Sequence, residues 1–139
     1  MIHLEHLNLV VKDMNITLSF YQAAFPHWQI RGGGESEWYG HPRKWLHFGD
    51  DYNYLSLNDN GTGVNRKLKE YKVGLAHFAF VVNDIHGLIS RLSNAGFQES
   101  IDYTGDNNRG SVYYIDPNGY EVEFVHYLSD NPKLRNKYI

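Results

Sequence analysis

The sequence lacks cysteine altogether, and no apolar run approaches the ~20 residues that a bilayer-spanning helix needs. The first absence excludes disulfide bonds and thiolate chemistry, and the second excludes a helical membrane span. A basic excess is also missing, because the formal net charge is -3, so nucleic acid is not an expected partner. The first residues lead directly into a strand pattern without a signal-peptide layout. Together with the missing cysteine, this predicts a cytoplasmic protein.

The chain does contain an internal repeat. Residues 4–26 and 75–97 superimpose without a gap, and identical residues at the same register include the histidines His6 and His77. Self-similarity of this kind indicates that one structural unit has been used twice.

Each copy of the repeat predicts the same order of elements. A β-rich run is followed by an aspartate, Asp13 or Asp84, and then by apolar residues at helical spacing, which is the pattern of a strand, an N-cap and a helix. Three short β-like runs follow each helix. We expect a single domain over 1–139, with module 1 at about 1–60, a linker at about 61–73, module 2 at about 74–128 and a C-terminal tail at 129–139.

The segments between the strands are expected to be loops. The three glycines at 32–34 lack the strand, spacing and helix of a nucleotide-binding fingerprint, and we expect them to form a flexible loop. Loops at 32–44 and 102–110 are expected to set substrate specificity. The tail is expected to be either one helical turn or disordered.

In both copies of the repeat, period-two alternation places the histidine on the face of the strand that points away from the helix. His6 and His77 each lie opposite bulky apolar residues that must pack under the helix, and on the last strand Glu123 falls on the corresponding face. Two imidazoles and one carboxylate form a facial triad, which holds a divalent Fe, Mn, Ni or Zn ion and leaves positions open for substrate or water. A single strand histidine is more often a hydrogen-bonded structural residue, and Glu123 could be merely solvated. The recurrence at one register favours the metal site.

Other side chains on these faces are candidates for catalysis or substrate contact. Tyr113 lies on the hairpin beside the Glu123 strand, so we expect Tyr113 and Glu123 to be the catalytic groups. An ordinary structural or solvated role is the alternative for Tyr113 and for each further candidate. The possible substrate-pocket residues are Asn8, Tyr54, Ser56, His47, Arg109 and Glu121.

The chain resembles the vicinal oxygen chelate family, which includes glyoxalase I, extradiol dioxygenases, fosfomycin-resistance enzymes and bleomycin-resistance proteins. The resemblance is carried by HLNLVVKDMNITLSFYQAAF, HFAFVVNDIHGLISRLSNAG and YYIDPNGYEVEF. It implies an α+β fold of two tandem βαβββ modules that form a cupped mixed sheet with helices on the convex face, and a homodimer. His6, His77 and Glu123 match the family's metal ligands.

The resemblance implies a metalloenzyme that binds and polarises a small oxygen-rich substrate, with lyase, isomerase or transferase chemistry. Ser56 stands where a typical glyoxalase I has a fourth, glutamate ligand, and an alignment slip of two would offer Asn58 instead. An extradiol dioxygenase has a further histidine before the closing tyrosine, yet none occurs between His86 and His126. An extradiol-type Fe(II) dioxygenase and a non-catalytic binding protein of the bleomycin-resistance type remain alternatives.

Overall fold

The structure, a computed structural model, describes residues 1–138. It divides into two compact units, Met1–Gly63 (unit 1) and Val64–Ile139 (unit 2). Each unit contains the predicted strand, helix and three strands, and unit 2 adds a short third helix. The expected α+β fold of tandem βαβββ modules, built on mixed sheets, is confirmed.

Unit 1 forms a four-stranded sheet in the order β1-β4-β3-β2. The first strand pairs with the last in parallel, and the other neighbours are antiparallel. Its elements are β1 (His6–Val10), α1 (Met14–Ala24), β2 (Gln29–Trp38), β3 (His41–Gly49) and β4 (Tyr54–Asn58).

Unit 2 repeats this topology in the order β5-β8-β7-β6, again with one parallel pair between its first and last strands. The tail forms a one-turn helix, which was one of its two expected states. The elements are β5 (Phe78–Val81), α2 (Ile85–Asn94), β6 (Ile101–Gly105), β7 (Arg109–Ile115), β8 (Glu121–Tyr127) and α3 (Pro132–Arg135).

Both long helices begin at the predicted caps. The Asp13 carboxylate accepts from the backbone N–H of Ile16 at 2.9 Å, and the Asp84 carboxylate accepts from that of Gly87 at 3.0 Å. These bonds satisfy N–H groups that a helix leaves unpaired at its start. Gly96, with φ of 92°, follows the end of α2 in the left-handed region.

The alternation along the strands separates a core face from a site face. Leu9 and Val11 are buried, whereas His6 and Asn8 on the other face are exposed. In unit 2, Phe124 of β8 is fully buried among apolar side chains. The burial of each large apolar side chain contributes about 1.5–3 kcal/mol, so the register of both sheets is strongly specified.

The expectation of a flexible glycine loop was wrong, because all three glycines lie within β2. A Cβ at Gly33 would come within 2.7 Å of the Trp45 carbonyl oxygen, and one at Gly34 within 3.2 Å of the Trp45 indole nitrogen. Glycine therefore allows this strand to approach β3 closely. Tyr39 and Gly40, both with positive φ, connect the two strands. Residues 32–44 thus form a hairpin rather than a loop.

A tight turn connects the last two strands. The Gly119 N–H donates to the Asp116 carbonyl oxygen at 3.0 Å, and the Asp116 carboxylate accepts from the backbone N–H groups of Asn118 and Tyr120. This turn joins β7 to β8 and fixes their register.

The segment 102–110, expected to be a specificity loop, is largely a second hairpin made by β6 and β7. None of the helices in residues 1–138 is long and apolar enough to cross a membrane.

Candidate functional site

In unit 2 a histidine and a carboxylate meet on the sheet face opposite the core. The Nε2 atom of His77 lies 3.2 Å from the Oε2 atom of Glu123. His77 directly precedes β5, and the parallel pairing of β5 with β8 sets Ala79 opposite Glu123. The two side chains therefore emerge from neighbouring strands toward the same side.

Glu123 is a buried carboxylate, with only 10% of its side chain exposed. Burial of an unpaired charge is costly, so a carboxylate in this position needs positive or hydrogen-bonding neighbours. Arg109 supplies one, with its terminal nitrogen 3.6 Å from Oε1 of Glu123. Arg109 begins β7 and was among the predicted pocket residues.

Tyr113 faces the same cluster from the middle of β7. It pairs with Glu123 across the antiparallel β7–β8 ladder, and its ring lies edge-on to His77 at 5.5 Å between centroids. Burial, followed by the nearby Glu123 charge, raises the pKa of the Tyr113 hydroxyl. The adjacent Tyr114 points into the core, as its parity predicted.

Glu121 approaches the other ring nitrogen of His77. The distance from Nδ1 to Oε1 is 3.7 Å, which is too long for a hydrogen bond. The side chain of Glu121 is thus placed to attract and orient the imidazole only weakly.

In unit 1, His6 is held by a carboxylate that the sequence did not single out. Its Nδ1 atom lies 2.8 Å from Oε1 of Glu5, and the Tyr54 hydroxyl donates to the same oxygen at 3.2 Å. Because an ionised carboxylate only accepts, a neutral His6 ring carries its proton on Nδ1, which leaves the lone pair on Nε2. The His6 ring also stacks on Tyr54, with centroids 4.7 Å apart and planes 12° from parallel. Orientation by a carboxylate is typical of histidines that bind metal through the other nitrogen.

A cavity of about 370 Å³ lies beside His6 in unit 1. Asn8 and Ser56 line it, together with ring side chains and one cation, which are Trp38, Trp45, His47, Tyr54 and Arg43. Burial, followed by the positive charge of Arg31, lowers the pKa of His47. His47 is therefore neutral at neutral pH.

Asn58 belongs to a hydrogen-bond network rather than to the surface of this cavity. Its amide donates to the side-chain oxygen of Asn8 at 2.5 Å and to the Leu9 carbonyl at 3.2 Å, and its own oxygen accepts from Arg43. With these partners, and 1% exposure, Asn58 is not available as a ligand.

Strand register identifies which positions of the two units correspond. Asn8 pairs with Ser56 in unit 1, and its repeat partner Ala79 pairs with Glu123 in unit 2. Ser56 is thus the counterpart of Glu123, and the slip that would substitute Asn58 is wrong. By the same registers, His47 corresponds to Tyr113.

The unit 2 pair has the spacing of a direct ion pair, and two ligands on one metal ion would have a similar spacing. Two ligands at right angles on an ion with bonds of about 2.1 Å lie about 3.0 Å apart, close to the 3.2 Å between His77 and Glu123. Among residues 1–138, no group of three or more His, Asp or Glu side chains is arranged to hold a metal ion. The structure therefore brings together two of the three predicted ligands, and the part played by His6 stays a prediction.

Sequence reasoning missed Glu5, Arg43 and both cavity tryptophans. Arg43 and Trp45 alternate with His47 on β3, which begins at His41. A period of two applied to the whole strand therefore places them on the site face. Glu5 precedes β1 and offers no periodic signal.

The model of the Glyoxalase/Bleomycin resistance protein/Dioxygenase superfamily matches residues 3–124. A comparison with curated proteins found no match. Among solved structures, a glyoxylase/bleomycin resistance protein/dioxygenase domain from Frankia sp. EAN1pec is 18% identical, with a TM-score of 0.74, and the alignment covers 96% of this chain and 97% of that one.

Two further structures are similar. A glyoxalase family protein from Bacillus cereus is 14% identical, with a TM-score of 0.75 and coverage of 93% and 96%. A mutant of the fosfomycin resistance protein FosX from Listeria monocytogenes, in complex with Mn(II) and 1S,2S-dihydroxypropylphosphonic acid, is 19% identical, with a TM-score of 0.70 and coverage of 96% and 98%. At these identities the likeness concerns the fold.

Proposed function

Because the chain belongs to the glyoxalase/bleomycin resistance protein/dioxygenase superfamily, we propose that it is a metalloenzyme acting on a small oxygen-rich substrate. The proposed ligands of the divalent metal are His6, His77 and Glu123. The observation that carries the proposal is the 3.2 Å contact between Nε2 of His77 and Oε2 of Glu123. It is supported by Glu5, which holds Nδ1 of His6 and leaves Nε2 of that ring free.

A bound divalent ion would act as a Lewis acid toward a pair of substrate oxygens, which suits lyase, isomerase or transferase chemistry. Arg109 lies against Glu123 and offsets its negative charge, so a bound divalent ion would leave the site positive and favour an anionic substrate. Tyr113 lies opposite Glu123 on the neighbouring strand, and the proposed role of its hydroxyl is to donate to a substrate oxygen.

The proposed substrate class agrees with one structural relative. FosX from Listeria monocytogenes is seen with Mn(II) and a dihydroxypropylphosphonic acid, which is a small molecule rich in oxygen. For this chain we propose a substrate of that general kind, Fe, Mn, Ni or Zn as the metal, and a homodimer as the working form.

The first test is metal content per chain, measured by elemental analysis after reconstitution with Mn²⁺, Zn²⁺, Ni²⁺ or, without oxygen, Fe²⁺. The wild-type protein should hold close to one ion, and His6→Ala, His77→Ala and Glu123→Gln should each lose it. His86→Ala is the matched control, because His86 lies on α2 in unit 2, outside the proposed ligand set. Retention of metal by His77→Ala, or its absence from wild type after reconstitution, would overturn the proposal.

A mixing experiment then tests the homodimer and the source of His6. If each site takes His6 from a second copy, mixed His6→Ala and His77→Ala chains form some intact sites, and metal binding partly returns. If all ligands come from one chain, the mixture stays metal-free. Oxygen consumption with a catechol would instead identify the extradiol dioxygenase alternative, and ligand binding without metal or turnover would identify a binding protein.

A further inference from the structure

The walls of the unit 1 cavity are mostly the faces and edges of rings. Trp45 and His47 have centroids 5.0 Å apart, and His47 and Tyr54 have centroids 4.5 Å apart. Trp38 adds a second indole to the lining. Aromatic walls of this kind stack well on a flat, conjugated ring.

One cation shares the cavity with these rings. Arg43 stacks on Trp38, with its guanidinium carbon 4.8 Å from the ring centroid, and donates through one terminal nitrogen to Asn58. These contacts hold the guanidinium in place without neutralising it. No carboxylate pairs with Arg43 within the part of the chain that the structure describes, and its buried Nε atom has no hydrogen-bond partner there.

The lining is otherwise uncharged or weakly basic. None of the described side chains that border the cavity is acidic, and Asn8 and Ser56 add neutral polar groups. A fixed guanidinium without a counter-ion favours an anion, and its planar donor set matches a carboxylate.

The size of the cavity also limits its ligand. A cavity of about 150 Å³ is enough for a benzene-sized ring, so about 370 Å³ leaves room for one substituted ring or two fused rings. A short aliphatic acid would leave most of the ring surface uncovered.

We infer that the unit 1 cavity binds the ring of an aromatic carboxylate, stacked on the tryptophans with its carboxylate on Arg43. This inference rests on the proposed function, because it names the class to which the oxygen-rich substrate belongs. The cavity residues involved are distinct from the unit 2 pair, so the two proposals can fail separately.

The test uses the 139-residue chain, labelled with ¹⁵N-tryptophan and stripped of metal, and titrated with benzoate and 2-naphthoate. The chain has three tryptophans. The indole signals of Trp38 and Trp45 should shift, whereas that of Trp28, which packs on Phe25 and Phe48, should stay in place. Cyclohexanecarboxylate, which lacks the aromatic ring, and benzyl alcohol, which lacks the charge, should each bind about tenfold more weakly.

Variants separate the contributions of the cavity from general charge effects. Arg43→Gln should weaken 2-naphthoate binding about tenfold, and Trp45→Leu should also weaken it. Lys44→Gln is the matched control, because Lys44 is the next residue of β3, pairs with Glu35 and is 68% exposed. Arg43→Lys keeps the charge but loses the planar donor set, so it should fall between wild type and Arg43→Gln.

The outcomes distinguish this inference from the metal proposal. His77→Ala should lose metal, whereas Arg43→Gln, which lies outside the proposed ligand set, should still take it up. Equal binding of the aromatic and saturated acids to the wild-type protein, or shifts at Trp28 alone, would overturn the inference even if metal binds. Selective binding of 2-naphthoate by a protein that never takes up metal would overturn the proposed function and leave the cavity as a site for aromatic acids.

Discussion

Glu5 provides a sharp test of the metal site because it touches a proposed ligand without being one. Its carboxylate accepts from Nδ1 of His6 at 2.8 Å, whereas Glu121 lies 3.7 Å from the same atom of His77. Removing a hydrogen-bonded partner of a metal-bound histidine typically costs about 10–100-fold in metal affinity. We therefore expect Glu5→Gln to weaken metal binding by about that factor, and Glu121→Gln to weaken it by no more than about fivefold.

The measurement is a competition titration with a chromophoric chelator, with Mn²⁺ or Zn²⁺ as the metal. The Glu5 side chain is 60% exposed, so the thermal unfolding temperature of Glu5→Gln should stay close to that of wild type. Unchanged metal affinity in Glu5→Gln would refute the orienting role of the carboxylate. If His6→Ala also binds metal normally, His6 is not a ligand, and the error lies in the ligand set rather than in its support.

Three further predictions concern stability. Gly33→Ala should destabilise the β2–β3 hairpin by about 1–3 kcal/mol in urea unfolding, since its Cβ would lie 2.7 Å from a backbone oxygen, whereas Gly32→Ala, with nothing within 4 Å, should cost less. Backbone N–H donors lower the pKa of Asp50 below its ordinary value of 3.8. The ionised Asp50 therefore stabilises the fold above pH 3.8, and this stability is lost as the pH falls further. In Asp50→Asn, the urea midpoint should fall less steeply on acidification than in wild type. Burial raises the pKa of Tyr114 to about 12. The free energy of unfolding should therefore fall as the pH rises from 10 to 12. If Tyr114→Phe loses stability over this pH range as steeply as wild type does, the reasoning is wrong.

The sequence was sufficient to predict the helices and the facing of the strands. Asp13 and Asp84 are short polar residues at the start of apolar, helically spaced runs, and local hydrogen bonding alone makes them caps. The alternation around His6 and His77 predicted the site faces for the same reason, because strand periodicity is a local property. The His77–Glu123 pair followed, since both residues sit on strands whose parity was clear.

The parts that were missed depend on contacts distant in sequence. The glycines at 32–34 have a low strand propensity, but the close approach of the Trp45 backbone leaves no room for a Cβ at Gly33, and the Trp45 side chain leaves little at Gly34. The close approach is part of the long β2–β3 hairpin, and Arg43 lies on the site face because it alternates with His47 along β3. Glu5 directly precedes His6 in the sequence, but its contact with Tyr54 depends on the pairing of β1 with the distant strand β4.

The two copies of the repeat differ at positions where chemistry would be expected. At the position of Glu123 unit 1 has Ser56, and at that of Tyr113 it has His47. Unit 1 therefore offers a neutral, ring-lined surface with Arg43 as its cation, while unit 2 offers a buried carboxylate beside an imidazole and a phenol. Without a carboxylate at Ser56, the site lacks the second metal-binding base that the resemblance to glyoxalase I would require. Proton transfer in the proposed reaction therefore falls to Tyr113 or Glu123, and substitution at Ser56 by alanine should alter substrate affinity more than turnover, as steady-state kinetics would measure.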